Sequence, residues 1–392
     1  MANSRNIISP YQRFLKLFDI VKLFATSVGA NVFRHDYRIG PMTVIVTLAV
    51  NSFFALNFYT VYVGVVKEKH YTVVMQSLCI VGTGIQGFSK LICAISNQGM
   101  MRYIASEIEF MYSEYENKSQ RYVEQLNKAV KTLKSILLVI FKIYAILTIA
   151  LISVPVYYYL ILNQKMFIFE LQLPGIDKNT ILGFFLLQAF NALCVVLSGF
   201  GNFAADTAFF LMVAHTTLMK DILKCKFNDL DDILRQYSRD RTKTETTLRD
   251  IFQWHQRYLK FTETNTKIFF WIIFAQVTSS VMGIIGNTVS MFLGEWPVAP
   301  VYLVSSFIIM YCYCAMGNLV EISNDDVTTA IYDCLWYELT VPEQKMILIM
   351  LRESQKTESL SVGGIRPLTM NTGLQLTKTI YTVAMLLNES LN

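Results

Sequence analysis

The sequence contains few charged residues. Asp, Glu, Lys and Arg make up only 16% of its 392 residues, whereas the hydrophobic set makes up 53%. A soluble domain carries about 25% charged residues. With a mean hydropathy of +0.40, the chain has more apolar surface than one water-exposed core can bury. These values exclude a soluble globular enzyme and a disordered protein. The composition predicts a polytopic membrane protein.

The sequence also lacks recognisable motifs of catalysis and metal binding. It contains no HExxH, GxSxG or P-loop pattern, and its 4 histidines stand apart without metal-ligand spacing. The acidic run from Asn324 to Asp326 is interpreted as a helix cap or a salt-bridge partner. We therefore predict that the protein is not an enzyme, that it has no metal site and no cofactor, and that nucleic acid is not a partner.

The sequence contains several long apolar runs. About 20 largely apolar residues suffice to cross a bilayer as a helix. Seven stretches qualify: residues 42–66, 71–95, 135–162, 181–214, 268–293, 299–321 and 371–391. The last is half polar, which is typical of a helix that faces water or protein rather than lipid. The predicted fold class is all-α, a polytopic membrane protein with seven transmembrane helices.

The distribution of Lys and Arg predicts the orientation of these helices. Of the 34 basic residues, 27 lie on the side of the N-terminus, 4 lie on the opposite side and three lie inside spans. The positive-inside rule then places the N-terminus in the cytosol and the C-terminus outside the cell.

The segments between the spans are predicted to be helical rather than linkers. Residues 1–41 form a basic amphipathic leader capped at Ser9, which is expected either on the inner leaflet or packed on the protein's own cytosolic helices. Residues 42–214 hold spans one to four, 215–267 a cytosolic helical extension, 268–321 spans five and six, 322–370 a cytosolic anchor and 371–392 the last span. In the anchor, Thr340 and Glu343 predict a capping box that starts a helix.

Two charges in predicted spans are candidate functional residues by default. Asp206 lies in span four and Lys142 in span three, each toward the cytosolic half. An ion pair or snorkelling to the interface would also satisfy them.

The C-terminal quarter carries four short elements in a fixed order. First, Tyr332, Trp336 and Tyr337 follow span six; then come residues 351–356 (LRESQK), 363–369 (GGIRPLT) and 376–381 (LTKTIY). In this order and spacing the chain resembles the insect odorant receptors. The likeness in motifs covers about residues 323–387, and the length and inverted topology extend it to the whole chain.

The resemblance implies a ligand-gated, non-selective cation channel in the plasma membrane of the olfactory neuron dendrite. Such subunits assemble with a common odorant receptor co-receptor into a hetero-oligomer, as a tetramer. The last helix of each subunit lines one central pore, for which Tyr381, Ala384, Leu387 and Asn388 form one stripe. The aromatic residues Tyr332, Trp336 and Tyr337 are expected at a subunit interface, with packing inside the subunit as the alternative.

The outer halves of spans two, three, four and six should enclose a pocket for a small volatile organic molecule. Apolar walls with a few hydroxyl or amide groups suit such an uncharged ligand. The candidate pocket residues are Cys79, Thr83, Thr148, Leu151, Ile152, Leu187, Asn191, Cys194, Phe307 and Tyr311.

Three other classes remain as alternatives. A G-protein-coupled receptor also has seven spans, but the charge distribution predicts the opposite topology for this chain. Its sequence also has neither a D/E-R-Y after span three nor an NPxxY in span seven. A gustatory receptor shares the topology, although the Ser-Gln-Lys and Gly-Gly-x-x-Pro-Leu elements favour the odorant receptors. A secondary transporter would show inverted repeats, and the two halves of this sequence do not correspond.

Overall fold

The computed structural model describes residues 9–67, 72–236, 241–293, 296–356 and 359–391, and over these ranges the chain is almost entirely helical. The helices are α1 Pro10–Ser27, α2 Pro41–Tyr62, α3 Thr72–Ser96, α4 Gln98–Tyr115, α5 Gln120–Ile161, α6 Ile181–Leu234, α7 Arg241–Leu293, α8 Ala299–Asp333, α9 Val341–Ser354 and α10 Met370–Leu391. A π-helical turn, Val63–Lys67, follows α2, and a 3-10 turn, Trp336–Glu338, precedes α9. Two short strands, β1 Ser361–Val362 and β2 Arg366–Pro367, pair in antiparallel fashion before α10.

Six helices of the described chain are long and apolar enough to cross a membrane. They are α2 with its π-helical turn, α3, α5, α6, α7 and α8. The all-α membrane fold is therefore as predicted. The seventh predicted span corresponds to α10, which does not reach the same hydropathy, so the count of seven spans and the orientation of the termini stay predictions.

Local sequence signals set several helix ends. The Ser9 side chain accepts a hydrogen bond from the backbone N–H of Gln12 at 3.2 Å, which caps α1. At the start of α9, the backbone N–H of Thr340 donates to the Glu343 carboxylate at 2.8 Å. These are the two caps that the sequence predicts.

The bundle has two different ends. At one, which we call the extended end, α6 and α7 run on beyond the predicted spans and pack with α1, α4, α5 and α9 around a large apolar core. At the other, the cap end, residues 162–180 fold over a smaller apolar cluster that includes Trp296.

The leader helix α1 is part of the extended end. Its residues Phe14, Phe18 and Val21 are fully buried, and the Phe14 ring stacks on Tyr112 of α4 with centroids 4.4 Å apart. The sequence left two placements open for this helix, on the inner leaflet or against the protein's own helices. In the structure, the apolar face of α1 packs against the protein's own helices.

Glycines bring α10 against α8. Gly363 and Gly364 have φ values of 60° and 73°, the left-handed region that a tight turn between β1 and β2 requires. On α8, a Cβ atom at Gly317 would overlap the backbone oxygen of Leu368, just before α10. The Gly-Gly element is thus a turn that positions the last helix.

Candidate functional site: a cavity inside the helix bundle

The helices of the bundle surround a partly open cavity of about 130 Å³ near the cap end. Helices α3, α5, α6, α7 and α8 form its walls, with one side chain from α2 and one from the 162–180 segment. Its lining is mainly apolar and includes a few hydroxyl and amide groups, which is the usual make-up of a pocket for a small organic molecule.

The 162–180 segment closes the cap end of this cavity. Phe169 lines the cavity and is 2% exposed, and its carbonyl oxygen accepts a hydrogen bond from the Asn191 side-chain amide at 2.7 Å. The indole N–H of Trp296 donates to the carbonyl oxygen of Ile168 at 2.9 Å. Tyr302, which also lines the cavity, stacks on Trp296 with centroids 5.2 Å apart. These bonds to backbone atoms hold the segment in place over the pocket.

A buried ionic cluster lies at the opposite end of the cavity. Lys90 Nζ on α3 is 2.6 Å from Asp206 Oδ1 on α6, and the two side chains are 2% and 1% exposed. The hydroxyls of Tyr144 and Tyr313 donate to the same carboxylate at 2.5 and 2.6 Å, and Lys90 also donates to Asn202 Oδ1 at 3.0 Å. The cluster joins α3, α5, α6 and α8. Tyr144 and Asn202 also line the cavity.

Half of the predicted pocket residues line this cavity. They are Cys79 and Thr83 on α3, Thr148 and Leu151 on α5, and Cys194 on α6. Whether any of them contacts a ligand stays a prediction.

The other predicted pocket residues lie beside the cavity or away from it. Asn191 holds the cap segment through Phe169, while Leu187 is buried and Ile152 packs on the same apolar cluster. Phe307 and Tyr311 lie on the side of α8 that packs on α7 and α10. There the Tyr311 and Thr377 hydroxyls are hydrogen-bonded at 2.8 Å.

Helix α7 also contributes to the cavity, which was not predicted from the sequence. Gln276, Ser280 and Asn287 on this helix line the cavity, together with Gln86 of α3 and Tyr302 of α8. The available signal was an amide side chain inside an otherwise apolar span, because a polar group there requires a partner.

A second, larger cavity of about 310 Å³ lies between the C-terminal end of α1 and helices α2, α3 and α6. It shares Phe53, Thr83, Cys194, Ser198 and Asn202 with the first cavity, and most of its remaining lining is apolar. The first cavity is the better candidate for ligand recognition because more polar groups converge on it.

The predicted pore stripe does not form one uniformly exposed face of α10. Tyr381 is 67% exposed and Leu387 is 37% exposed, whereas Ala384 is buried against the bundle. The side chain of Asn388 is outside the described part of the structure. The role of these residues in a pore stays a prediction.

The predicted interface aromatics lie at the surface of the extended end. Tyr332 is 64% exposed, Tyr337 is 60% exposed and Trp336 is 37% exposed. Packing inside the subunit thus covers only part of each ring.

The two intramembrane charges named from the sequence have different surroundings. Asp206 belongs to the buried cluster, while Lys142 is exposed on the outer side of α5. Within the described ranges, no group of three or more His, Cys, Asp or Glu side chains is placed to hold a metal ion.

Comparison with known proteins identifies the family. A family model for the 7tm odorant receptors matches residues 70–381. The chain is 22% identical over 393 residues to a Drosophila melanogaster protein named "Putative odorant receptor 83c", covering 97% of this chain and 98% of the relative. It is also 32% identical to Drosophila melanogaster Odorant receptor 22c over 66 residues, which are 17% of this chain and 16% of that protein.

The fold has solved counterparts. The insect olfactory receptor OR5 from Machilis hrabei superimposes with a TM-score of 0.77 at 13% identity, covering 96% of this chain and 98% of that one. The structure of the same receptor in complex with eugenol gives a TM-score of 0.76 at 12% identity, covering 97% of this chain and 100% of that one. The odorant receptors are a class of receptors and not of enzymes. Because the family model covers most of its length, the chain belongs to the 7tm odorant receptor family.

Proposed function

We propose that this chain is the odorant-binding subunit of a ligand-gated, non-selective cation channel that works with a common co-receptor. The observation that carries the proposal is the mainly apolar cavity between the helices in a chain of this family. A membrane protein with such a cavity can exchange a small lipophilic ligand with its surroundings and respond to occupancy.

The lining of the cavity supports an uncharged ligand. Among the described lining residues there is no Asp, Glu, Lys or Arg. Lys90 and Asp206, which contact the lining residues Asn202 and Tyr144, neutralise each other as an ion pair. A charged ligand would therefore be buried without a counter-ion, which is costly, whereas a small volatile molecule with one polar group would not.

The exposed side of α10 supports a role in a pore. Gln375, Lys378 and Thr382 are exposed on one side of this helix, while Ile380 and Ala384 on the opposite side pack on the bundle. A polar face is unsuitable for lipid and suitable for a water-filled path or a neighbouring subunit. In a tetramer, four such faces could surround a common axis.

The exposed aromatic residues of the extended end support a subunit interface. Tyr332, Trp336 and Tyr337 all lie at the surface, and the ring centroids of Trp336 and Tyr337 are 6.1 Å apart. Large aromatic side chains are enriched in interface cores. We infer that these three residues contact the co-receptor, on the side of the membrane that the positive-inside rule assigns to the cytosol.

Electrophysiology tests the proposal directly. The chain is expressed alone and with the co-receptor while G-protein signalling is blocked, and a panel of uncharged volatile compounds is applied. We expect cation currents that need the co-receptor and persist without G-protein signalling. Responses that disappear with the G-protein block would instead support the G-protein-coupled alternative, which the family assignment does not favour.

A substitution in the cavity wall locates the ligand. Cys194 lines the cavity on α6, so Cys194→Trp should fill the space and abolish the response to the best agonist while assembly persists. The matched control is Leu193→Trp, because the neighbouring Leu193 side chain is 54% exposed on the outside of the same helix. Equal dose–response curves for both variants would remove this face of α6 from the site.

A further inference from the structure

Helix α7 lines the cavity with two amide side chains whose hydrogen-bonding capacity is only partly used among the described residues. Gln276, Ser280 and Asn287 all line the cavity, and their spacing of four and seven residues puts them on one face of the helix. Asn287 is 1% exposed, and neither its Nδ2 nor its Oδ1 has a hydrogen-bond partner among the described residues. The Nε2 of Gln276 donates to Ser280 at 3.3 Å, but its Oε1 is also without a partner there.

The other polar side chains nearby behave differently. On the same helix, the hydroxyls of Thr288 and Ser290 donate to backbone carbonyl oxygens one turn earlier, at 2.8 and 2.9 Å. The amide of Asn202, which also lines the cavity, donates to the Ser198 carbonyl oxygen and accepts from Lys90. Among the described side chains that line this cavity, Asn287 is the one with both an unused donor and an unused acceptor. The amide of Asn265 on the same helix also lacks partners among the described residues, but Asn265 does not line the cavity.

A buried polar group without a partner destabilises a protein, so its presence calls for an explanation. A ligand that supplies the missing hydrogen bonds would bind more tightly than one that does not, because the desolvation cost of the amide is present in both cases. An apolar ligand of the same shape would leave the amide unsatisfied.

We infer that Asn287 determines the chemical class of the ligand by binding its hydroxyl group. A hydroxyl is the smallest group that matches both amide atoms, because its O–H can donate to Oδ1 while its oxygen accepts from Nδ2. A ketone or an ester can only accept, and a hydrocarbon can do neither. The inference rests on the proposed function in that it takes this cavity as the ligand site, and it names alcohols and phenols as the preferred ligands.

The test uses sets of compounds with a matched carbon skeleton. Each set contains a secondary alcohol together with the ketone and the hydrocarbon of the same carbon skeleton, in a linear series such as 2-octanol, 2-octanone and octane and in a phenyl-substituted series. In the unmodified receptor, expressed with the co-receptor, we expect the half-maximal concentration to be lowest for the alcohol. The ketone should be intermediate and the hydrocarbon weakest.

Asn287→Leu removes the amide at nearly constant side-chain size. We expect the half-maximal concentration for alcohols to rise about tenfold, because the variant loses one hydrogen-bonded pair with the ligand. The half-maximal concentration for hydrocarbons should stay equal or fall. The matched control is Thr288→Val, because the Thr288 hydroxyl bonds only to its own helix. This control should leave the order of the compounds unchanged.

Stability measurements separate ligand recognition from a structural role. If Asn287 has no partner in the ligand-free protein, Asn287→Leu should leave the thermal midpoint of the purified receptor unchanged or raise it. A clear fall in that midpoint would reveal a structural partner and overturn the inference. Should the Leu variant fail to reach the surface, Asn287→Thr replaces the amide by one hydroxyl, which can still donate or accept, and should give a smaller loss of alcohol preference.

The two failures are distinguishable. If the unmodified receptor responds to uncharged compounds without preferring the alcohol of each set, or if Asn287→Leu keeps the preference, the inference about Asn287 is wrong and the proposed function stands. If no uncharged compound produces a co-receptor-dependent current, the proposed function itself fails.

Discussion

Replacing Lys90 by Met should destabilise the receptor strongly, because the change leaves a buried carboxylate without its counter-ion. Lys90 Nζ and Asp206 Oδ1 are 2.6 Å apart and both side chains are almost completely buried. Removing one partner of a buried ion pair costs about 3–5 kcal/mol. The hydroxyls of Tyr144 and Tyr313 remain bonded to Asp206 and offset part of this cost. We therefore expect a loss near the lower end, about 3 kcal/mol, which is more than a hundredfold in the folding equilibrium.

The double replacement Lys90→Met with Asp206→Asn provides the internal comparison. It removes both charges, and the new amide oxygen can still accept from the two tyrosine hydroxyls. Replacing both partners of a buried pair is often close to neutral. We expect the double variant to recover most of the stability that Lys90→Met loses, even though it carries one more substitution.

The assay is the thermal midpoint of the purified protein in detergent, measured by fluorescence-detected size-exclusion chromatography, together with surface expression. Lys142→Met is the control, since Lys142 is exposed on α5 and should leave both quantities unchanged. A Lys90→Met protein as stable as the unmodified one would refute the reasoning. So would a double variant that is no more stable than the single variant.

Three further outcomes are expected. Gly317→Ala should reduce surface expression and thermal stability, by about 1–3 kcal/mol, because its Cβ would overlap the Leu368 carbonyl oxygen; Gly283→Ala, whose Cβ has its nearest neighbour at 3.8 Å, should be tolerated. Asn117, an exposed sequon residue between α4 and α5, should carry no glycan when its mass is analysed after expression in cells, and a glycan there would reverse the proposed orientation. Leu387→Glu should partly change calcium permeation in assemblies with the co-receptor while the rank order of ligands stays the same; unaltered permeation in a surface-expressed variant would remove Leu387 from the pore.

Features with a local cause could be predicted from the sequence. The helix starts at Ser9 and Thr340 each depend on a hydrogen bond between a side chain and a backbone N–H three residues apart, so a capping signal is sufficient to find them. The apolar runs predicted all six strongly apolar helices because hydropathy and length are properties of one segment. The family followed from short motifs, of which the Gly363–Gly364 pair is a turn with positive φ.

The pocket was harder to predict because it depends on the rotation of each helix. Adjacent residues differ by about 100° around a helix axis. Leu151 lines the cavity whereas the neighbouring Ile152 does not, although both are aliphatic residues at the same depth. Composition cannot distinguish such a pair, and only the packing of α5 on its neighbours decides which residue faces inward.

The ionic cluster was missed for a related reason. The sequence shows that Asp206 and Lys142 are charges inside predicted spans, but it does not identify the partner of either residue. The structure pairs Asp206 with Lys90 on α3, while Lys142 lies outside the bundle. Pairing between distant segments is a property of the assembled helices, so the sequence predicts that a buried charge needs a partner but not which residue supplies it.

The polar side chains inside the bundle can be sorted by whether the protein itself satisfies them. In an apolar environment an unpaired polar group is costly, so those with partners, such as Lys90, Asp206 and Asn202, hold helices together. Asn287, whose amide has no partner among the described residues, is left for something that enters the cavity. Tyr144 and Asn202 belong both to the ionic cluster and to the cavity wall, so the cluster and the cavity share two side chains. A ligand that moves Tyr144 would therefore act on the carboxylate that ties α6 to α8, the helix on which α10 packs.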